Sequence, residues 1–551
     1  MKELLLMSLR DTLESLYQLV PEDLTLSPPR EESHGDYSTN VAFLLAKTLK
    51  KSPKDIAQQI ADSMPKESFK VEAVNGFINF RLRPALLTRE FARLIKDGET
   101  YFFRPVERPL FVQIEFVSAN PTGPLHVGHG RGAVVGDVLS RIFQRFGHKV
   151  VREYYINDAG NQVKMLGLSV FYRYCQLWGR EREDLKKAFE EEGYKGRYVI
   201  RLAKDLKAFY GEKLLELPQE EALTLAKEYA HRRLLEDIRE TLELLGVGFD
   251  SWFSERSLYQ RGLVQEVLEL LEKKGHLYQQ EGALWFRSSA FGDDKDRVVR
   301  KSDGSYTYFA SDVAYHWEKH RRGFQRVINL WGADHHGYEK RLLGALRALG
   351  VEEGWLKVEF VQMVRLLSGG QEVRMSKRTG EFVTLQELLE EVGPDAVRFV
   401  FLTRDSDTPL DFDMDLVKRN TSENPVFYVQ YAYARIRGVF REVRERYGLD
   451  PDQTDLTSHV EGLRLEEELK LVKKCLQMKD IYETVLQNLS PHLITYALLE
   501  LSKDFHFYYN HHRVMVEDTN LMLSRLALLK GVEVTLKTAF DLLGIKAPER
   551  M

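Results

Sequence analysis

Pro121-Thr122-Gly123-Pro124-Leu125-His126-Val127-Gly128-His129 follows an apolar run from Leu110 to Val117 and precedes a segment from Arg131 to Phe146. In that segment Val134, Val138, Ile142 and Phe146 recur at helical spacing, so the stretch reads strand, turn, helix. The two histidines lie three residues apart at the start of the helix and point the same way. A helix N-terminus attracts phosphate through its free N–H groups and its dipole. Gly123 and Gly128 admit a ligand close to the backbone. Two imidazoles placed there are suited to the phosphates of a nucleotide. Taken alone, the pair also fits core packing or half of a metal site; no Glu follows the first His, so the zinc-protease pattern is missing.

Far downstream lies Val373-Arg374-Met375-Ser376-Lys377-Arg378-Thr379-Gly380, after Gly369-Gly370. A basic, glycine-flanked loop suits a triphosphate on which charge develops, although alone it also reads as a solvated turn. In this order the two motifs resemble the paired ATP-binding signatures of class I aminoacyl-tRNA synthetases. Val127 stands for the usual Ile of the first signature. Arg374 and Arg378 stand for the first Lys and last Ser of the second.

Further words narrow the resemblance to arginyl-tRNA synthetases. They are Glu115 to Pro124, Tyr155-Ile156-Asn157-Asp158-Ala159-Gly160-Asn161-Gln162, Asp303 to Tyr308, Gly332-Ala333-Asp334-His335-His336-Gly337, Asn424 to Ala432, and Ala547 to Met551. The resemblance implies ATP-dependent ligation of L-arginine to the terminal adenosine of tRNA(Arg) through an arginyl-adenylate, with Mg²⁺ assisting. It implies catalytic roles for His126, His129 and Lys377. Gly123, Gly128, Met375 and Ser376 join them as ATP-binding residues. Arginine would be held by Glu115, Ser118, Asn120, Glu255, Tyr308, Asp312 and His336. No resident metal site is implied. A catalytically inactive tRNA-binding relative is the alternative, and the presence of both histidines, Lys377 and the acids argues against it.

The chemistry of such a pocket can be stated independently. A guanidinium is a permanently charged planar fork of donors and calls for carboxylates. Tyr308 and Asp312 are four apart and neighbours if helical, with Tyr315 continuing that face. Ser118 and Asn120 share a face of an extended strand, but Glu115 is out of step by one residue and needs a bend to join them. Glu255 either faces the substrate or pairs with Arg256 or another nearby Arg.

The 551 residues suit three or four domains; 43% hydrophobic and 29% charged residues place the chain among soluble globular proteins. Two distant cysteines, Cys175 and Cys475, exclude a disulfide framework and suit the cytoplasm. No apolar run is long enough for a membrane span. The formal net charge of −4 means that a tRNA must be met by local basic patches.

The expected fold is a multidomain α/β protein in three parts. Residues 1–104 resemble the extra N-terminal α/β domain that touches the corner of the tRNA, with Tyr37 and Asn79 as possible contacts or ordinary core residues. Residues 105–415 are expected to form a Rossmann-like, doubly wound parallel sheet, interrupted by a mostly helical insertion over about 163–284. Residues 416–551 read as an all-α anticodon-binding bundle. It opens at Asn424-Pro425, with Arg437, Arg441 and Arg444 on one helix face. A monomer is the family expectation.

Overall fold

The computed structural model describes residues 1–27, 29, 34–373 and 383–551. At its centre is a five-stranded sheet of β1 (Phe111–Glu115), β2 (Lys149–Ile156), β3 (Ser251–Ser254), β4 (Arg326–Gly332) and β5 (Leu356–Val361). Every pairing in it is parallel, in the order β5-β4-β1-β2-β3. This is the doubly wound order. Winding reverses between β1 and β4, and in such sheets ligands bind outside the carboxyl ends of the strands at that point. Glu115 ends β1 and Gly332 ends β4, so the words singled out in the sequence converge on the switch point.

The helix after the signature turn, Val127–Arg145, buries Val134, Val138 and Ile142 as its periodicity requires. Close helix–strand packing depends on Gly136, where a Cβ would lie 2.2 Å from the Phe116 ring. The insertion differs from its expected extent. Helices spanning Asn161 to Leu244 form a subdomain with its own apolar core around Leu166, Phe171, Leu202 and Leu234. The chain then returns to the central sheet as β3, inside the expected 163–284 span. The helices are thus the crossover that two parallel strands require. A second excursion carries the antiparallel strands Leu277–Gln280, Ala283–Phe286 and Arg297–Arg300.

Among the described residues, the N-terminal part has four helices and a three-stranded antiparallel sheet, on which the helices Val41–Leu49 and Pro53–Ser63 pack. The C-terminal part has four long helices, Pro425–Tyr447, Glu466–Asn488, His492–His511 and Thr519–Leu543. Asn424 caps the first of them, accepting from the N–H groups of Val426 and Phe427, with Pro425 at the first helical position. One continuous apolar core joins the N-terminal part, the sheet and the C-terminal helices. Buried Arg398 ties three regions together. It donates to Asp137 of the signature helix, to the carbonyl of Leu543 at 2.7 Å and to that of Leu245 at 3.1 Å.

Candidate active site

Beyond β1 the chain bends. Val117 and Ser118 both adopt left-handed backbone, at φ 69° and 43°. A β-branched residue there costs about 1–3 kcal/mol, which surrounding contacts must offset. Two such contacts are visible: the Ser118 hydroxyl donates to Glu115 at 3.0 Å and accepts from the Tyr155 N–H at 3.1 Å. This is the bend that the odd spacing of Glu115 demanded, and it brings Glu115 and Ser118 into contact. Asn120 lies past the bend and donates to Gln162 at 2.6 Å.

The signature turn then sets the two histidines. His126 is the N-cap of the helix, and its ring accepts from the Gly128 N–H at 3.2 Å. His129 accepts from the His126 N–H, also at 3.2 Å. The rings stack with centroids 3.6 Å apart. Both imidazoles therefore accept backbone N–H groups of the turn through Nδ1, which puts the ring proton of each neutral imidazole on Nε2. A Cβ at Gly128 would stand 3.1 Å from the His126 ring, so glycine makes room for the histidine. Gly123 lies under Tyr198 of the helical subdomain, whose hydroxyl donates to the Thr122 carbonyl at 2.7 Å. Thr384 bridges to His126, and the Leu385 N–H donates to the Leu125 carbonyl at 2.9 Å. The chain immediately after the second signature is thus pinned beside the first. Met375, Ser376 and Lys377, with Arg374 and Arg378, lie outside the described residues.

The acids form the second half of the site. Glu115 is buried and paired with fully buried Lys319 at 2.6 Å, and Lys319 also donates to Asn329 at 2.9 Å. Glu255 is 2% exposed and opens a short helix after β3. Its Oε2 has no hydrogen-bond partner among the described residues. Arg256 turns away to Glu228 and the Asp158 carbonyl, so the alternative ion pair does not form. Asp312, on the helix Tyr308–Arg321, accepts from the Tyr338 hydroxyl at 2.5 Å. Burial, then the charge of Asp312, raises the Glu255 pKa to about 7. Burial raises that of Asp312 to about 6, against the hydrogen bond from Tyr338. Glu255 is thus a buried acid whose ionisation its acidic neighbour disfavours, and no cationic side chain is hydrogen-bonded to it among the described residues.

The remaining residues are distributed unevenly. Tyr308 is 60% exposed at the rim, with its hydroxyl 3.3 Å from where a Cβ on Gly160 would stand. His336 stacks on Phe360 at 3.7 Å and faces Asp407, so its contacts do not join it to Asp312 or Glu255. Tyr315 is core rather than pocket face: it is fully buried and donates to Glu153. Tyr37 and Asn79 are buried, and the Tyr37 hydroxyl donates to Asp480 at 2.6 Å. Arg437 and Arg444 pair with Asp452 and Asp450, and Arg441 donates to the Glu549 carbonyl. All three arginines of that face thus have partners within the chain.

Lys319, Tyr338 and Tyr198 escaped the sequence reading. Only Lys319 left a signal: it follows Asp312 by seven residues, which places opposite charges on one helix face.

Three family descriptions match the chain. They are the class I tRNA synthetase (R) catalytic domain over residues 106–407, the arginyl tRNA synthetase N-terminal domain over 3–82, and the DALR anticodon-binding domain over 429–551. The arginine–tRNA ligase of Aquifex aeolicus is 50% identical over all of both chains. That of Bacillus subtilis is 44% identical over 96% of this chain and 94% of its own. The arginyl-tRNA synthetase structure from Thermus thermophilus superposes with a TM-score of 0.77 at 25% identity, over all of both chains. Family descriptions and full-length similarity agree: the chain belongs to the arginyl-tRNA synthetase family of class I.

Proposed function

We propose that the paired acids Glu255 and Asp312 are the guanidinium slot of an ATP-dependent arginine–tRNA ligase. The observation that carries this is the buried, unpartnered carboxylate oxygen of Glu255 beside a second acid, at the carboxyl end of the sheet. A guanidinium supplies a planar, charged pair of donors to the remaining oxygens of both acids, whereas an ammonium supplies only a point charge. Ser118 and Asn120 receive the amino-acid end. Glu115 supports them from below as an acceptor whose charge Lys319 already answers. Tyr308 covers the rim, and His336 acts from the loop after β4.

In the first step the arginine carboxylate attacks the α-phosphorus of ATP, and pyrophosphate leaves. The Nε2–H groups of His126 and His129 stabilise charge on the transferring phosphates, as preorganised donors do. Gly123 and Gly128 keep the turn open to ATP. Met375 and Ser376 contact the nucleotide, and Lys377 neutralises the departing pyrophosphate. ATP would bring Mg²⁺, which would supply counter-charge to its phosphates. In the second step the 2′-hydroxyl of the terminal adenosine attacks the adenylate carbonyl, and AMP leaves. The division of labour follows the chain: 1–104 for the tRNA corner, 105–415 for chemistry and 416–551 for the anticodon. The enzyme works as a monomer in the cytoplasm. No helix among the described residues is long and apolar enough to cross a membrane.

The test is arginine-driven ATP–pyrophosphate exchange with and without tRNA(Arg). Exchange that requires tRNA supports the ligase and means that tRNA completes the site. Absence of both exchange and charging overturns the reading in favour of a tRNA-binding protein without catalysis. His129→Ala lowers the exchange rate by about 3–4 kcal/mol in activation free energy, the scale of one lost oxyanion-type donor. An unchanged rate removes the imidazole from the mechanism.

A further inference from the structure

We infer that Tyr338 is a positioning residue for arginine selectivity: its hydroxyl pins one oxygen of Asp312 and thereby aims the other, ionised, at the substrate guanidinium. The inference deepens the pocket assignment above and rests on it.

The geometry has three parts. The Tyr338 hydroxyl donates to Asp312 Oδ2 at 2.5 Å. The phenol ring is itself immobilised. Phe309 and Trp331 meet it edge-on, with centroids 6.3 and 5.8 Å away, and the Arg341 guanidinium lies 5.1 Å from its centre. Finally, the Asp312 carbonyl accepts from the ring of buried His316, whose other nitrogen meets Asn329, so the backbone beneath the carboxylate is held as well. A carboxylate fixed at one oxygen by a rigid donor keeps one rotamer. Its second oxygen and the unpartnered oxygen of Glu255 then form two fixed acceptors. A planar fork can satisfy both at once, and a point-like ammonium cannot.

The donor also has an electrostatic role. Asp312 is faced by Glu255, Glu115, Tyr155 and Tyr259, and on the cationic side by Lys319 and His335. Burial and the neighbouring acids favour its protonated form, and the Tyr338 hydrogen bond opposes them. Without that bond Asp312 takes up a proton at higher pH and stops being a counter-ion.

Tyr338→Phe keeps the ring packing and deletes the donor. In the full-length enzyme with tRNA(Arg), the KM for arginine in pyrophosphate exchange rises about tenfold at pH 7, the equivalent of one hydrogen bond to a charged group. The kcat at saturating arginine stays within about twofold. The acid limb of the KM profile moves to higher pH, so the penalty grows towards pH 6 and shrinks towards pH 8.5. A purely structural loss would lower the melting temperature and move kcat and KM together at every pH. That outcome, or an unchanged KM, overturns the inference. Asp312→Asn is the control. If it leaves the arginine KM unchanged, the pocket assignment itself fails. If it raises KM while Tyr338→Phe does not, only the role of Tyr338 fails.

Discussion

Glu153 and Glu255 are both buried glutamates beside adjacent strands of one sheet, yet their surroundings are opposite. Glu153, on β2, receives both arms of Arg322 at 2.7 and 2.8 Å, hydroxyls from Ser251 and Tyr315, and the amide of Gln113. These partners overcome its burial and hold its pKa below the usual value. Glu255, just after β3, has an orphaned oxygen and a pKa raised to about 7. A buried carboxylate whose partners are all internal belongs to the scaffold. One whose cation is missing is waiting for a ligand that carries it, because an unpaired buried charge is costly and persists where function requires it.

Four substitutions break or sharpen that contrast. Glu153→Gln leaves half-buried Arg322 without its carboxylate and destabilises the fold by about 3 kcal/mol, the low end of the cost of breaking a buried pair. Chemical denaturation measures it. A loss below about 1 kcal/mol would place Glu153 among the dispensable acids. Asp312→Asn does the reverse: arginine binding weakens by about 2–5 kcal/mol, while the melting temperature without arginine does not fall. Titration calorimetry and thermal melts read both halves.

Glu255→Gln tests the sign of the missing charge. The folded pKa lies above the ordinary one, so the folded chain binds the extra proton. Its stabilisation is full below about pH 4.5 and is lost as pH rises through about 7. The shift from 4.5 to about 7 corresponds to roughly 3 kcal/mol at most. The variant should therefore melt higher than the parent at pH 8 without arginine, and the advantage should vanish at pH 5. Equal melting at both values would mean that Glu255 already has its cation. The smallest effect concerns the ATP half. Tyr198→Phe removes the hydroxyl over the Thr122 carbonyl and costs about 1 kcal/mol, read as a higher KM for ATP with the arginine KM unmoved. A change in the arginine KM instead would show that the helical subdomain acts on the other half of the site.

The histidine half of the candidate site was more legible in the sequence than the acidic half. The histidine turn is a local device: cap, glycine and helix lie within nine residues, and their spacing predicts their geometry. The three-part α/β architecture followed from the same words and their resemblance. The insertion was overextended because β3, only four residues long, carries too little periodicity to stand out between helices. Helix spacing alone places Tyr315 on the face of Tyr308 and Asp312, whereas it lies in the core. Its neighbour Glu153 lies 162 residues earlier, and nothing local records that contact.

By itself, then, the chain's sequence determined the strand–turn–helix at His126 and the family to which the chain belongs. Both are carried by short words whose chemistry is local. Only the tertiary structure decided which acid is free. Lys319 reaches Glu115 across 204 residues, Arg322 reaches Glu153 across 169, and Glu255 is reached by neither. Burial makes pairing decisive, since in a low-dielectric interior a carboxylate's charge state depends on the partner within a few ångströms, and folding alone selects that partner.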